Sequence, residues 1–124
     1  MGNGLARRMK RLSVAYDRFD VVIVPFPFMD RQSDKRRPAL VVSDSVNFGH
    51  NSGHCVLAMI TSSRQSPWQL DVPIGGLEAA GLPSSSKIRM KLFTMDHRLI
   101  LRKVGHLSPE DQANVNSALV RLAG

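Results

Sequence analysis

Three consecutive cations, Lys35, Arg36 and Arg37, run straight into Pro38-Ala39-Leu40-Val41-Val42-Ser43, an apolar stretch that reads as a buried strand. Proline has no N–H and biases the preceding residue toward extended backbone, so Arg37 stands at a strand entrance with its side chain aimed. A guanidinium fixed among other cations suits phosphate, because its planar fork donates two parallel hydrogen bonds to one anionic group. The competing reading is a solvated turn in which Arg36 and Arg37 pair with Asp30 or Asp34. Thr61 ends the apolar run 54–60 and offers a short, stiff hydroxyl. Taken alone, that hydroxyl suits a phosphate or a backbone group equally.

Other residues invite weaker chemistry. Lys87, Arg89 and Lys91 alternate with Ile88, Met90 and Leu92, which gives one cationic and one apolar strand face. Such charges either contact a polyanion or protect an exposed edge. Trp68, the only tryptophan, follows Pro67 at a loop end and suits base stacking, partner anchoring or core packing. His50, His54 and Cys55 superficially resemble metal ligands, but Cys55 sits beside Val56, Leu57 and Ala58 and reads as buried packing. No metal or cofactor is expected. A general base could be His50, His54, His97 or His106, and no local pattern selects one.

These groups need a scaffold. With 124 residues the chain suits one domain with a real core. Residues 1–15 read as a basic, disordered extension and residues 16–124 as the single folded domain. Of the net charge of +7, residues 1–18 hold +4, which leaves +3 for the rest, so a polyanion partner must be argued from local clusters. No apolar run approaches the roughly 20 residues of a membrane span, and the basic first segment lacks a signal-peptide core. A cytoplasmic location without membrane contact is expected.

The pattern predicts strands over 19–28, 38–43, 54–60, 68–74, 87–93 and 99–104, with an irregular connection over 44–53. The first two are expected to pair antiparallel. After Gly105, Ser108 can cap a helix, Pro109 suits its first position, and Glu110 and Asp111 favour its positive end. Val115, Leu119 and Leu122 then form its buried stripe. Short strands closed by one helix imply a small, strongly bent sheet or barrel.

Three blocks in this order, residues 19–26 (Phe-Asp-Val-Val-Ile-Val-Pro-Phe), 37–43 (Arg-Pro-Ala-Leu-Val-Val-Ser) and 60–62 (Ile-Thr-Ser), resemble the MazF/PemK family of type II toxin–antitoxin toxins. The resemblance runs from about Phe19 to Gly124. It implies a mainly β fold with a C-terminal helix, a compact SH3-like barrel of the CcdB/Kid/MazF type, usually dimeric. It also implies endoribonuclease cleavage of single-stranded RNA, inhibition by a cognate acidic antitoxin, and catalytic roles for Arg37 and Thr61. Lys35, Arg36, Ser62, Arg64, Arg89 and Lys91 are then the expected RNA-binding residues, with Trp68 stacking on a base or anchoring the antitoxin. The family's arginine is also given a proton-shuttling role, but a guanidinium normally stays protonated, so charge stabilisation is the role expected of Arg37. This chain departs from some members at Lys91, where they carry an acidic residue two positions after the arginine matched by Arg89. Two other readings are a same-fold toxin that binds a protein, as the CcdB family binds DNA gyrase, and a noncatalytic RNA- or partner-binding domain.

Overall fold

The computed structural model describes residues 16–26 and 35–124. The basic extension, the end of the first expected strand, and the candidate partners Asp30 and Asp34 lie outside the described residues. Six strands, β1 (Asp20–Pro25), β2 (Arg36–Val41), β3 (His54–Ser62), β4 (Val72–Pro73), β5 (Ser86–Asp96) and β6 (Arg102–His106), pair antiparallel in the order β4-β5-β3-β2-β1-β6. A short helix, α1 (Leu77–Ala80), precedes β5, and α2 (Pro109–Ala123) closes the chain. A wide π turn over Ser45–Gly49, continued through His50–Ser52, joins β2 to β3. The chain thus adopts the mainly β architecture with a C-terminal helix that the sequence implies, as a curled half-barrel.

Both faces of the central strands are buried. Val21 and Val22 point to opposite faces, yet each is fully shielded. Val21, Leu40, Ala58, Ile60 and Ile88 pack under Val115 and Ala118 of α2. Val22, Val24, Ala39, Val41, Cys55 and Leu57 form the second cluster with Met95 and Ile100. Two-sided burial explains why β1 and β2 read as continuous apolar runs rather than alternating ones.

Several expected elements shift. The strand expected over 68–74 shrinks to Val72–Pro73, because Asp71 accepts from the Trp68 amide at 3.0 Å and its own amide donates to the Trp68 carbonyl at 3.2 Å, closing a turn. Leu99 lies in a 3-10 turn, so β6 begins three residues late; the Asp96 side chain caps that turn at the Arg98 amide, 2.8 Å away. In β5 the strict alternation fails. The register jumps from Ala58–Leu92 to Met59–Arg89, so Met90 and Lys91 are additional on β5, a bulge; beyond it Leu92 is exposed, and before it Lys87 is buried. On α2, Leu122 is exposed and Ala118 takes its place in the packing.

The start of α2 follows the sequence expectation, with Ser108 as cap and Pro109 in the first turn. Its buried Asp111 does more, accepting from the Gly75 and Gly76 amides at 3.0 and 2.9 Å. That carboxylate ties the helix to the segment leaving β4.

Candidate active site

Arg37 lies in β2 opposite Val24 of β1, exposed, with its guanidinium carbon 5.4 Å from the centroid of the Phe26 ring. The ring restricts the side chain by a cation–π contact. The β2–β3 ladder ends at Ala39–Met59, two residues short of Arg37 on β2 and of Thr61 on β3. On the other flank of Thr61, β5 places Lys87 directly opposite. Thr61 is therefore paired with Lys87 on one side, while Arg37 lies on the neighbouring strand β2, two residues beyond the last β2–β3 pair.

Lys87 does not wave in solvent. It is buried, and its Nζ donates to the Gln65 carbonyl at 2.6 Å and lies 3.3 Å from Asp71 Oδ2. Arg89, one step along β5, grips the same carboxylate through Nε at 3.2 Å and Nη2 at 3.1 Å, and Nη2 also donates to the Ser66 carbonyl at 2.6 Å. Burial raises the Asp71 carboxyl, but hydrogen bonds from Arg89, the Trp68 amide and Lys87, with the Arg89 charge, outweigh it and hold its pKa below the ordinary value. The loop that leaves Thr61 is thus pinned to β5 through Gln65, Ser66, Trp68 and Asp71.

The remaining candidates separate. Lys91 stands with its Nζ 4.3 Å from the Trp68 ring centroid, and the Arg89 guanidinium carbon is 5.8 Å from it. Ser62 points away from Thr61 across the strand; its Oγ accepts from the Arg64 amide at 3.2 Å, leaving the Arg64 side chain exposed. Arg36 alternates to the face opposite Arg37 and lines a surface with Ile23, Leu101 and Arg102. Lys35 receives the Phe26 amide on its carbonyl at 2.8 Å.

All four histidines sit at the other end of the strands. His54 begins β3 and holds the Ser52 carbonyl through Nδ1 at 2.7 Å, with His50 in the turn before it. The His97 amide bonds the Gly53 carbonyl. His106 meets Asp20 at the far end of β1, with Nδ1 2.8 Å from Oδ1, and Lys103 reaches the same oxygen at 3.1 Å. Cys55 faces the second core cluster, away from its neighbour His54, and burial pushes its thiol up to about 12.

Lys87 and Asp71 belong to the same arrangement as Thr61 and were not among the candidates read from the sequence. The available signal was the alternation that grouped Lys87 with Arg89 and Lys91, and a lone acid between the tryptophan and a proline.

The family described as PemK-like, MazF-like toxin of type II toxin–antitoxin system matches residues 17–123. No curated protein matches this sequence. Among solved structures, the MazE–MazF complex from Deinococcus radiodurans superposes with a TM-score of 0.70 at 20% identity, covering 90% of this chain and 98% of that one. MazF from the same organism gives 0.68 at 22%, covering 90% and 98%. A mycobacterial endoribonuclease in complex with its cognate antitoxin gives 0.66 at 19%, covering 86% and 93%. At these identities the superpositions establish a shared fold. The sequence match over nearly all of the described residues establishes descent, and this chain belongs to the PemK-like, MazF-like toxins of type II toxin–antitoxin systems.

Proposed function

We propose that this toxin is an endoribonuclease that cleaves single-stranded RNA without a metal ion, using the RNA's own 2′-hydroxyl as nucleophile. The observation that carries this reading is Thr61 at the end of β3, with Lys87 paired across from it on β5 and the exposed Arg37 at the head of the neighbouring strand β2. Attack of the 2′-oxygen on phosphorus breaks the bond to the 5′-oxygen, leaving a 2′,3′-cyclic phosphate and a 5′-hydroxyl. The nucleophile is already held beside the phosphorus, so the protein mainly supplies geometry and charge. Arg37, exposed and steadied by Phe26, offers its fork to the nonbridging oxygens as negative charge builds on them. Thr61 donates its hydroxyl to the same group. Lys87 adds positive potential behind Thr61 while holding the loop through Gln65.

The proton from the 2′-hydroxyl and the proton needed by the 5′-oxygen are not assigned to histidine, because the four histidines lie at the opposite end of the sheet. A toxin that only docks on a protein makes no use of a hydroxyl flanked by cations. The mRNA substrate implies a cytoplasmic location, and the family resemblance implies a homodimer. Two relatives of this fold are MazE–MazF or endoribonuclease–antitoxin complexes, which supports a cognate antitoxin for this chain; the cations make an acidic one fitting.

Incubation of purified protein with long single-stranded RNA in EDTA tests the proposal. Fragments with 5′-hydroxyl and cyclic phosphate ends are expected, with cleavage lost in Arg37→Ala. Products with 5′-phosphate ends, or activity abolished by EDTA and restored by magnesium, would overturn it.

A further inference from the structure

A cleft of about 500 Å³ opens between the loop 63–71 and the end of α2, lined by Ser63, Trp68, Leu70, Lys87 and Arg121 among others. Trp68 is about half exposed on its rim, 48% by area, although its backbone amide is fixed by Asp71. Lys91 sits over the ring, and the aromatic surface that stays exposed on this pinned loop is preorganised to receive a flat partner. The charges around it divide into two sets. Lys87 and Arg89 share the single Asp71 carboxylate, whereas among the described residues no carboxylate pairs with Lys91 or Arg121.

We propose that this cleft is a nucleotide subsite for the RNA strand flanking the cleaved bond, in which a base stacks on Trp68 and a phosphate pairs with Arg121. The proposal rests on the ribonuclease reading and adds the residues that hold the substrate beyond the reacting phosphate. An aromatic platform beside an unpaired cation matches the two things a single strand offers at each nucleotide, a π-face and a phosphate. Position supports it too. Lys87 lines the cleft and stands opposite Thr61, so a strand engaged at Thr61 passes directly into it. Asp71 is the positioning residue, since it fixes both the turn below Trp68 and the cations beside it.

Because Trp68 is the only tryptophan, its emission reports on the subsite directly. The probe is a mixed-sequence single-stranded RNA oligonucleotide with 2′-O-methyl at every sugar, which lacks the attacking hydroxyl. Saturating it should quench the tryptophan emission while the anisotropy of a labelled copy rises. Trp68→Ala and Arg121→Ala should each weaken binding about tenfold, and Arg121→Lys should recover most of the loss. On cleavable RNA both alanine variants should raise KM with kcat within about twofold, the reverse of Arg37→Ala. Arg121 is exposed near the helix end, so its substitution leaves folding intact and keeps the test decisive. Unchanged emission at saturation, wild-type affinity in both alanine variants, or quenching by an acidic peptide but not by the oligonucleotide would overturn the proposal. Failure of the ribonuclease reading registers elsewhere, as RNA left intact by the wild-type protein.

Discussion

Thr61 of β3 pairs across the sheet with Lys87 of β5, and the Lys87 ammonium is anchored to the loop that begins just after Thr61. The hydroxyl and the loop therefore share one support. Removing the hydroxyl while keeping the shape isolates its chemistry. Thr61→Val should fold with wild-type melting behaviour and lose about 10²-fold in kcat, as removal of one transition-state donor does elsewhere. Thr61→Ser should retain most activity. Single-turnover cleavage of a defined RNA measures both, and a valine variant with unimpaired kcat would remove Thr61 from the chemistry.

Arg37→Lys keeps the positive charge at the head of β2 but replaces a planar fork by a point charge. If the guanidinium clamps two phosphate oxygens, lysine should recover only a small part of the roughly 10²–10³-fold loss expected for Arg37→Ala. Full rescue by lysine would show that charge alone suffices. The side chain is exposed, so neither change should lower Tm by more than a few degrees.

The sequence singled out Arg37 and Thr61 as candidates but not Lys87, which pairs with Thr61, and the reason is register. Pro38 marks a strand entrance by local chemistry, and Thr61 ends an apolar run, so both are visible within a few residues of themselves. Which residue of β5 meets Thr61 depends on the two additional residues Met90 and Lys91, whose bulge no alternation pattern announces. Leu92, expected on the buried face of that alternation, is exposed. Likewise Asp71 looked like a strand residue, although its carboxylate is the centre of a four-donor turn. The helix start over 108–111 was legible because capping is local.

Asp71→Asn should cost about 2–3 kcal/mol of stability, because it leaves Lys87 and Arg89 shielded from water without a countercharge. The carboxyl pKa is depressed in the folded state relative to the ordinary 3.8. Its contribution is accordingly complete above that value and is lost as pH falls below it. Urea unfolding between pH 6 and pH 3 should show a decline that is shallower in Asp71→Asn. Parallel declines in the two proteins would mean that Asp71 contributes no such linkage.

Cys55 should be inert in the native protein. Its thiol lies in the second core cluster with a pKa raised from 9.0 to about 12, so at pH 8 both access and thiolate are lacking. Ellman's reagent should react slowly under native conditions and promptly in concentrated urea. Because the folded pKa is the higher one, the linked stability is full below pH 9 and declines as the pH rises toward 12. Rapid native labelling at pH 8 would show that this face of the sheet opens.

Asp111→Ala tests the tie between helix and sheet. The substitution removes acceptors from the Gly75 and Gly76 amides, which the carboxylate reaches at 3.0 and 2.9 Å. It also removes an acid from the first turn of α2, where the helix dipole favours negative charge. Two charge-assisted hydrogen bonds at a buried position predict a loss of about 2–4 kcal/mol. Asp111→Asn, with one carbonyl oxygen left to accept, should lie between the two. The amides of Gly75 and Gly76 should then exchange with deuterium faster in the alanine variant, while those of β3 keep their protection relative to global stability. Equal acceleration throughout would make Asp111 a support of the whole fold instead of a local tie between α2 and the segment that carries the loop 63–71.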